Sequence, residues 1–378
     1  MHKKHTWKIM ISMTLALVML LAFSVTGCGP GVEDPVVPTD PDDIDEPAAP
    51  DPGRISIRWN TADVGSYGYS VASLMVELLN RELPNKIDGN YTVTIHPFPA
   101  TGAGMKAAME GDGDIAYTAD VGMTQVYAEE DAYSQAEWPN RPDDENLLVH
   151  SFYAYPMETG LAVHVNNADQ FQSWRDFDGE PVFFTPAGFM NWLNMGRIFD
   201  ALEIEFNHVE IDSGTVADAL REGSIVGAAV YTTAGRSLPT YLREAEMRLA
   251  DELHVVSPSA EEVAILEAAG LAVLEIDATV PFTTGVGTEM YQAVPILFAY
   301  NVMAHTPAEF VKAKLEIFEE NASQLAEWEP GFGPLAADFV GMQVSGIRAN
   351  PNIPVHPGMA EFLQERNAWD DSWTIAGQ

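Results

Sequence analysis

Nine histidines are scattered along the chain without a His-x-x-x-His or His-Glu-x-x-His pair. Two imidazoles one helical turn apart are what a helical zinc site requires, so metal-assisted hydrolysis finds no ligand set. A single cysteine, Cys28, excludes an intramolecular disulfide, a thiolate cluster and an internal redox pair. Gly-x-Ser-x-Gly and Gly-Lys-Ser/Thr are both missing, and Gly65-Ser66-Tyr67-Gly68 falls short of Gly-x-Gly-x-x-Gly. Adjacent acids such as Glu129-Glu130 and Asp370-Asp371 suit a solvated surface. No catalytic residue, metal ligand or cofactor motif is assigned, which leaves binding as the chemistry to consider.

Small, hydroxyl-bearing turns that follow short apolar strands are the candidates for it. Residues 60–67 hold Thr61, Gly65, Ser66 and Tyr67, and residues 99–104 hold Thr101 and Gly104. Asp120 closes a third turn at 118–121. Residues 185–191 bring Thr185, Gly188, Phe189 and Asn191, and residues 231–235 bring Tyr231 and Thr232. In open parallel sheets, ligands bind beyond the carboxyl ends of strands. Helix N-termini there present unpaired backbone N–H groups and the positive end of a dipole. Any one of these turns serves equally as a helix cap, and Phe189 and Trp192 serve equally as helix core. Five turns at equivalent topological places favour a cleft between lobes.

The elements that must carry these turns are legible as a strand–helix alternation. Ile55, Ile57 and Trp59 alternate with polar residues as a strand does. Val71, Leu74, Met75, Leu78 and Leu79 share one face of a helix that Pro84 is expected to end. Further strands are expected at 91–95 and 115–118, with a helix at 105–110 between them, giving a parallel βαβαβ unit. A second series starts near Leu161. It has strands at 161–165, 182–185, 208–211, 225–231 and 253–257, and helices at 191–202, 216–222, 237–245 and 260–269. Each half contains a helix end, a glycine and a strand of small residues, at Gly111 and again at Gly223. The end of the chain reads as a strand at 295–304, a helix at 307–321, a looping tail and a helix at 357–368.

The first residues have another character. Lys3, Lys4 and Lys8 precede an apolar run at 9–25, small residues follow, and then comes Cys28. A charged start, a short apolar stretch and small residues before a cleavage point make an export signal. The run is shorter than the ~20 residues of a comfortable membrane span. Seven prolines and eight acidic residues fall within positions 29–53, which cannot bury enough surface to offset ordering and read as an extended tether. Composition excludes other roles. A formal charge of −37 is the opposite of a nucleic-acid footprint and is repelled by an anionic lipid surface.

Residues 65–69, 110–121, 174–182 and 353–360, in this order, together resemble the TAXI family of solute receptors that serve TRAP-type secondary transporters. Val25-Thr26-Gly27-Cys28 resembles a bacterial lipobox, with Cys28 acylated as the first mature residue. Gly65-Ser66-Tyr67-Gly68-Tyr69 resembles the family's Gly-Thr-Tyr-Tyr turn, and residues 110–121 its Ser-Gly-Glu-x-Asp-x-Ala…Asp-Val segment. Residues 174–182 are similar to its Asp-Leu-x-Gly-Lys-x-Val, and residues 353–360 to its closing Ile-Pro-Leu-His-Pro-Gly-Ala, the most specific piece. The resemblance implies an α/β type II periplasmic-binding-protein architecture with a ligand cleft between two lobes. Lobe I would comprise 54–154 and 295–378, lobe II 155–294, after a signal at 1–27 and a lipidated tether at 28–53. It further implies an extracytoplasmic, lipid-anchored receptor that passes a small, carboxylate-bearing organic solute to a membrane permease. Departures bear on that solute. Asp63 stands in the first loop, where a carboxylate is awkward beside an anion unless it points away or meets a ligand amine. The Gly-Ala-Ser-x-Glu-Asn loop is reduced to residues 101–106, where Lys106 is either a charge partner or a surface residue. The expected Gly-Ser-Gly-Thr is replaced by Ala187-Gly188-Phe189-Met190-Asn191-Trp192, a bulkier wall. A ligand-dependent sensor or adaptor on the same fold is the alternative, and a surface enzyme the weakest reading.

Overall fold

The computed structural model describes residues 53–378. The expected export signal, Cys28 and the expected tether up to residue 52 lie outside the described residues.

The chain begins with β1 (Arg54–Thr61), α1 (Tyr67–Lys86), β2 (Asn90–Pro97), α2 (Thr101–Met109) and β3 (Ile115–Ala119). The expected parallel unit is present: β1 pairs in parallel with both β2 and β3. Ser66 starts α1 as its N-cap, accepting a hydrogen bond from the Tyr69 amide, and Val71, Met75, Leu78 and Leu79 bury the inner face. Pro84 does not end this helix, which runs on to Lys86. A proline in the last turn forfeits one backbone hydrogen bond, and buried Leu83 beside it favours keeping the turn. Next come α3 (Asp120–Ala128), β4 (Leu148–Val149) and the 12-residue β5 (Tyr153–His164).

The second half comprises β6 (Val182–Phe183), α4 (Met190–Leu202), α5 (Val216–Glu222), β7 (Gly227–Thr233), α6 (Thr240–Leu249), β8 (Leu253–Val256), α7 (Ala260–Ala268) and β9 (Leu274–Asp277). The strand expected at 208–211 is reduced to a single bridge between His208 and Val182. The 14-residue β10 (Met290–Met303) then returns to the first half. After it come α8 (Ala308–Glu320), α9 (Ala322–Trp328), α10 (Gly333–Ala337), α11 (Phe339–Ala349) and α12 (Pro357–Glu365). The tail expected to loop is therefore mostly helical. Its helices are short, and in α11 glycine lets the backbone press on the core: a Cβ at Gly346 would lie 2.1 Å from the Tyr153 ring.

Strand order is β2-β1-β3-β10-β5-β7-β6, and β10 runs antiparallel to both β3 and β5. An antiparallel strand returning from the second half beside β3 is the type II periplasmic-binding-protein arrangement, and the molecule is a two-lobed α/β protein of that class. The long strands β5 and β10 serve both lobes. β10 pairs with β3 in the first lobe and β9 in the second, while β5 pairs with β7 and β8 in the second. The first lobe has one continuous core from β1–β3, α1–α3 and the C-terminal helices. The second has two cores on opposite faces of its sheet. Leu161 and Val163 of β5 pack into one and Ala162 into the other, the period-two alternation of a covered strand.

Candidate ligand-binding site

Strand ends and helix starts meet where the lobes face one another. A cavity of about 440 Å³ lies there, walled by Asp63, Gly65, Ser66 and Tyr67 from the β1–α1 turn and by Pro99 after β2. The second lobe supplies Thr185, Pro186 and Phe189 from the turn before α4, Ser213 and Gly214 before α5, and Tyr231 from β7. The first turn of α6 closes it with Thr240, Tyr241 and Glu244. The volume falls in the ~300–1,000 Å³ range of small-molecule sites. Behind it, a recess of about 20 Å³ reaches Thr101, Asn191, Tyr117 and Phe298.

Eight of the expected residues thus border the cavity or its recess: Gly65, Ser66, Tyr67, Thr101, Thr185, Phe189, Asn191 and Tyr231. Thr185 has the most unusual setting. It is 1 % exposed, its hydroxyl has no hydrogen-bond partner among the described residues, and its backbone sits at φ 148°. A β-branched residue pays for that conformation, and such strain concentrates at ligand clamps. Tyr241, which the sequence reading missed, also lines the cavity, with its hydroxyl buried. Ser66 is occupied in capping α1.

Five expected residues do other work. Thr61 is buried and donates to the Ala62 carbonyl. Gly104 lies under the strand end, its carbonyl accepting from Asn60 Nδ2 at 3.1 Å. Asp120 accepts from the amides of Val121 (2.9 Å) and Leu297 (3.1 Å), tying α3 to β10. Burial raises its carboxyl above the ordinary range, against the pull of Arg197. Thr232 donates to Glu158 Oε2 at 2.8 Å inside the sheet. Gly188 faces a second interlobe chamber of about 800 Å³, which also holds Lys106, Trp192 and Arg197. The Gly102 amide reaches the Gly188 carbonyl at 3.5 Å, so the lobes touch there. Lys106 sits 5.5 Å from the centre of the Tyr133 ring and 5.4 Å from that of Trp138.

Asn191 belongs partly to a network at the strand crossing. Thr159 Oγ1 donates to Asn191 Oδ1 (3.1 Å), and Asn194 Nδ2 donates to Thr159 Oγ1 and the Val294 carbonyl, both at 3.1 Å. Arg197 donates to Asn194 Oδ1 (2.7 Å) and the Pro295 carbonyl (3.3 Å). Glu158, beside the crossing on β5, also accepts from the Gly235 amide at 3.0 Å. Burial holds its carboxyl up at about 7. Neither Glu158 nor Glu244 was legible beforehand: an isolated Glu in a strand or helix looks like solvated surface. Asp63 was noticed as a departure, and the structure puts it on the cavity wall.

Among the described residues, no group of three or more His, Cys, Asp or Glu could hold a metal ion, and no helix is long and apolar enough to cross a membrane.

No protein-family model matches the sequence, and no curated protein matches it. Among solved structures, it is similar to the periplasmic aliphatic sulphonate-binding protein SsuA from Escherichia coli. That likeness has 16% identity over 83% of this chain and 85% of that one, with a TM-score of 0.44. The alkanesulfonate-binding protein SsuA from Xanthomonas axonopodis pv. citri bound to MOPS matches at 11% identity, over 87% and 98%, with a TM-score of 0.43. A putative L-cystine ABC transporter protein from Listeria monocytogenes matches at 13%, over 73% and 96%, with a TM-score of 0.41.

Proposed function

We propose that the chain is an extracytoplasmic solute receptor of the TAXI type, which captures a small organic solute between its lobes and delivers it to a TRAP-type membrane permease. The observation that carries this reading is the cavity of about 440 Å³ at the carboxyl ends of β1, β2 and β7, with walls from both lobes. Lobe I comprises 54–154 and 295–378, lobe II 155–294, and closure is a hinge motion in β5 and β10 where the chain passes between them. Ser66, Tyr67, Thr185, Phe189 and Tyr231 contact the solute, and Thr101 and Asn191 contact its deeper end. Cys28 carries the lipid that holds the receptor at the cell membrane, with residues 29–53 as tether.

The TAXI assignment rests on the quoted motifs. The most specific, at 353–360, has a structural role here: His356 caps α12 by accepting from the Gly358 amide, and its Nε2 lies 2.9 Å from the Thr306 carbonyl. A Cβ at Gly358 would lie 2.2 Å from the Ala308 carbonyl, so glycine lets α12 dock on α8. The resemblance implies a carboxylate on the solute. The wall offers it the first turns of α1 and α6 but, among the described residues, no basic side chain.

Small-angle scattering of the full chain with and without solute tests the reading. A ligand found by thermal shift should reduce the radius of gyration. Binding without compaction, or no binding by any organic solute, overturns it.

A further inference from the structure

The charge of the cavity wall differs from what a carboxylate receptor needs. Two carboxylates, Asp63 and Glu244, stand on it, one from each lobe, and none of the described residues lining it is Lys, Arg or His. The two basic residues of α6 are engaged elsewhere: Arg243 pairs with Glu246 at 2.9 Å and Arg248 with Asp218 at 3.3 Å. Four aromatic rings, Tyr67, Phe189, Tyr231 and Tyr241, make up much of the remaining wall. Tyr231 and Tyr241 lie with ring centres 5.9 Å apart at 56°. Within this wall the Thr185 hydroxyl is buried and has no partner among the described residues, an oxygen able to accept a hydrogen bond.

These features converge on one ligand class. Aromatic faces attract a cation through their quadrupole, an ammonium or quaternary nitrogen above all. Carboxylates add charge-assisted hydrogen bonds to any N–H the cation carries. Helix N-termini pull the other way, but each is worth about half a charge and is felt only within its first turn. Two full carboxylates outweigh them, and a chain of charge −37 raises the local concentration of cations around it.

We propose that the captured solute is an organic cation, an ammonium group on an apolar body, held between Asp63 and Glu244 with its nitrogen against the aromatic wall and the Thr185 hydroxyl. This rests on the receptor reading and gives it a substrate class. On closure the two carboxylates, one per lobe, approach the same charge, so the cation itself removes the repulsion that would hold an empty cleft open.

The test is a thermal-shift and calorimetric screen of the full chain with matched probes. 2-Phenylethylamine, its N-trimethylated form, 3-phenylpropanoate and 3-phenylpropanamide share a body and differ in charge, and an aliphatic set (butylamine, tetramethylammonium, butanoate, butanamide) repeats the comparison. Stabilisation by the ammonium members, falling about tenfold in affinity in Asp63→Asn and again in Glu244→Gln, is the expected result. Both side chains are exposed, so these variants keep the unliganded melting temperature. Phe189→Leu should weaken the trimethylated probe more than the neutral amide. Stabilisation by the carboxylates alone, or ammonium binding indifferent to both acid substitutions, overturns the cation inference and leaves the receptor standing. A flat response to every probe in both sets counts against both.

Discussion

The two lobes solve burial differently. The first gathers its sheet and helices into one core and encloses polar groups within it, whereas the second divides its apolar residues between two faces of its sheet. Inside the first lobe, His150 lies between the Tyr153 hydroxyl (2.7 Å) and the Asn350 carbonyl (3.0 Å). Lys314 donates to Ser151 Oγ at 2.6 Å and sits near the rings of Trp59 and Phe152. Buried acids of the second lobe act instead as anchors for loops. Glu246 accepts from the Thr284 amide at 2.8 Å and from the Thr283 hydroxyl at 3.0 Å, and Glu262 caps α7 while accepting from the Arg175 amide. A buried group that must stay neutral makes stability depend on pH, and a buried carboxylate held by donors fixes a loop. The buried imidazoles thus tie the first lobe to acid, while in the second Glu158 titrates in the opposite sense and the other buried acids hold loops.

Acid should expose this contrast most strongly. Burial pushes both His150 and His356 down to about 4. Between the ordinary imidazole value near 6.5 and 4, the unfolded chain binds protons that the native one refuses. Stability therefore falls as pH drops through that window, by on the order of 3 kcal/mol per imidazole at its lower end. Glu158 opposes the loss. Its folded value of about 7 lies above its unfolded one, so it stabilises as pH falls from 7 towards 4.5. Urea midpoints measured from pH 7 to 4 should fall, and more steeply in Glu158→Gln. A flat profile would remove the distinction between the lobes.

Matched core truncations come next. Phe152 packs on Phe318 (ring centres 4.8 Å apart) and Phe339 (6.1 Å) in the depth of the first lobe. Phe184 in the second packs on Phe206 (4.5 Å), itself only half-buried. Phe-to-Ala changes cost about 3–5 kcal/mol, less where neighbours can collapse into the gap. Phe152→Ala should fall at the top of that range and Phe184→Ala at the bottom, read from urea unfolding. Equal losses would mean that the second lobe is packed as rigidly as the first.

Much of this architecture was legible in the sequence, for identifiable reasons. Alternation in Ile55–Ile57–Trp59 and the one-sided spacing of Val71, Met75, Leu78 and Leu79 are local signals, and local signals survive folding. Helix α11 was not legible, because Gly341 and Gly346 lower helix propensity where the Asp338 cap and the Tyr153 ring lie close to its backbone. At the site, a turn's position after a strand located Ser66, Tyr67, Thr185, Phe189 and Tyr231 on the cavity. Position alone could not tell Thr185, whose hydroxyl has no partner among the described residues, from Thr232, whose hydroxyl is spent on Glu158. That depends on a partner 74 residues away. Glu244 was invisible for the same reason: only the approach of α6 to the β1–α1 turn gives it meaning.

Lys314 sharpens the comparison at a smaller scale. Burial lowers its ammonium to about 7, so between 7 and its ordinary 10.5 the unfolded chain binds the proton that the native one has lost. Stability in that window rises with pH. Lys314→Met removes the desolvation cost and fills the same volume, and should raise stability at pH 7 by about 1–4 kcal/mol while flattening the alkaline rise. A loss of stability would show that the ammonium earns more from Ser151 and the two rings than burial takes away.

The smallest effect belongs to the point where the lobes touch. Gly188 sits at φ +87°, and a Cβ there would meet Ala100 of the other lobe at 3.5 Å, an ordinary contact. The cost of Gly188→Ala is therefore mainly backbone, about 1–2 kcal/mol for a left-handed conformation that glycine adopts freely. That cost falls on the turn which carries Thr185 and Phe189 to the cavity. Should the turn hold its conformation through closure, the substitution lowers the melting temperature and leaves ligand affinity alone. Should the turn relax in the open form, part of the cost is paid only on closing and appears as weaker binding. Calorimetric titration beside thermal unfolding separates the two, and the rigid-turn outcome is expected because Thr185 is fully enclosed.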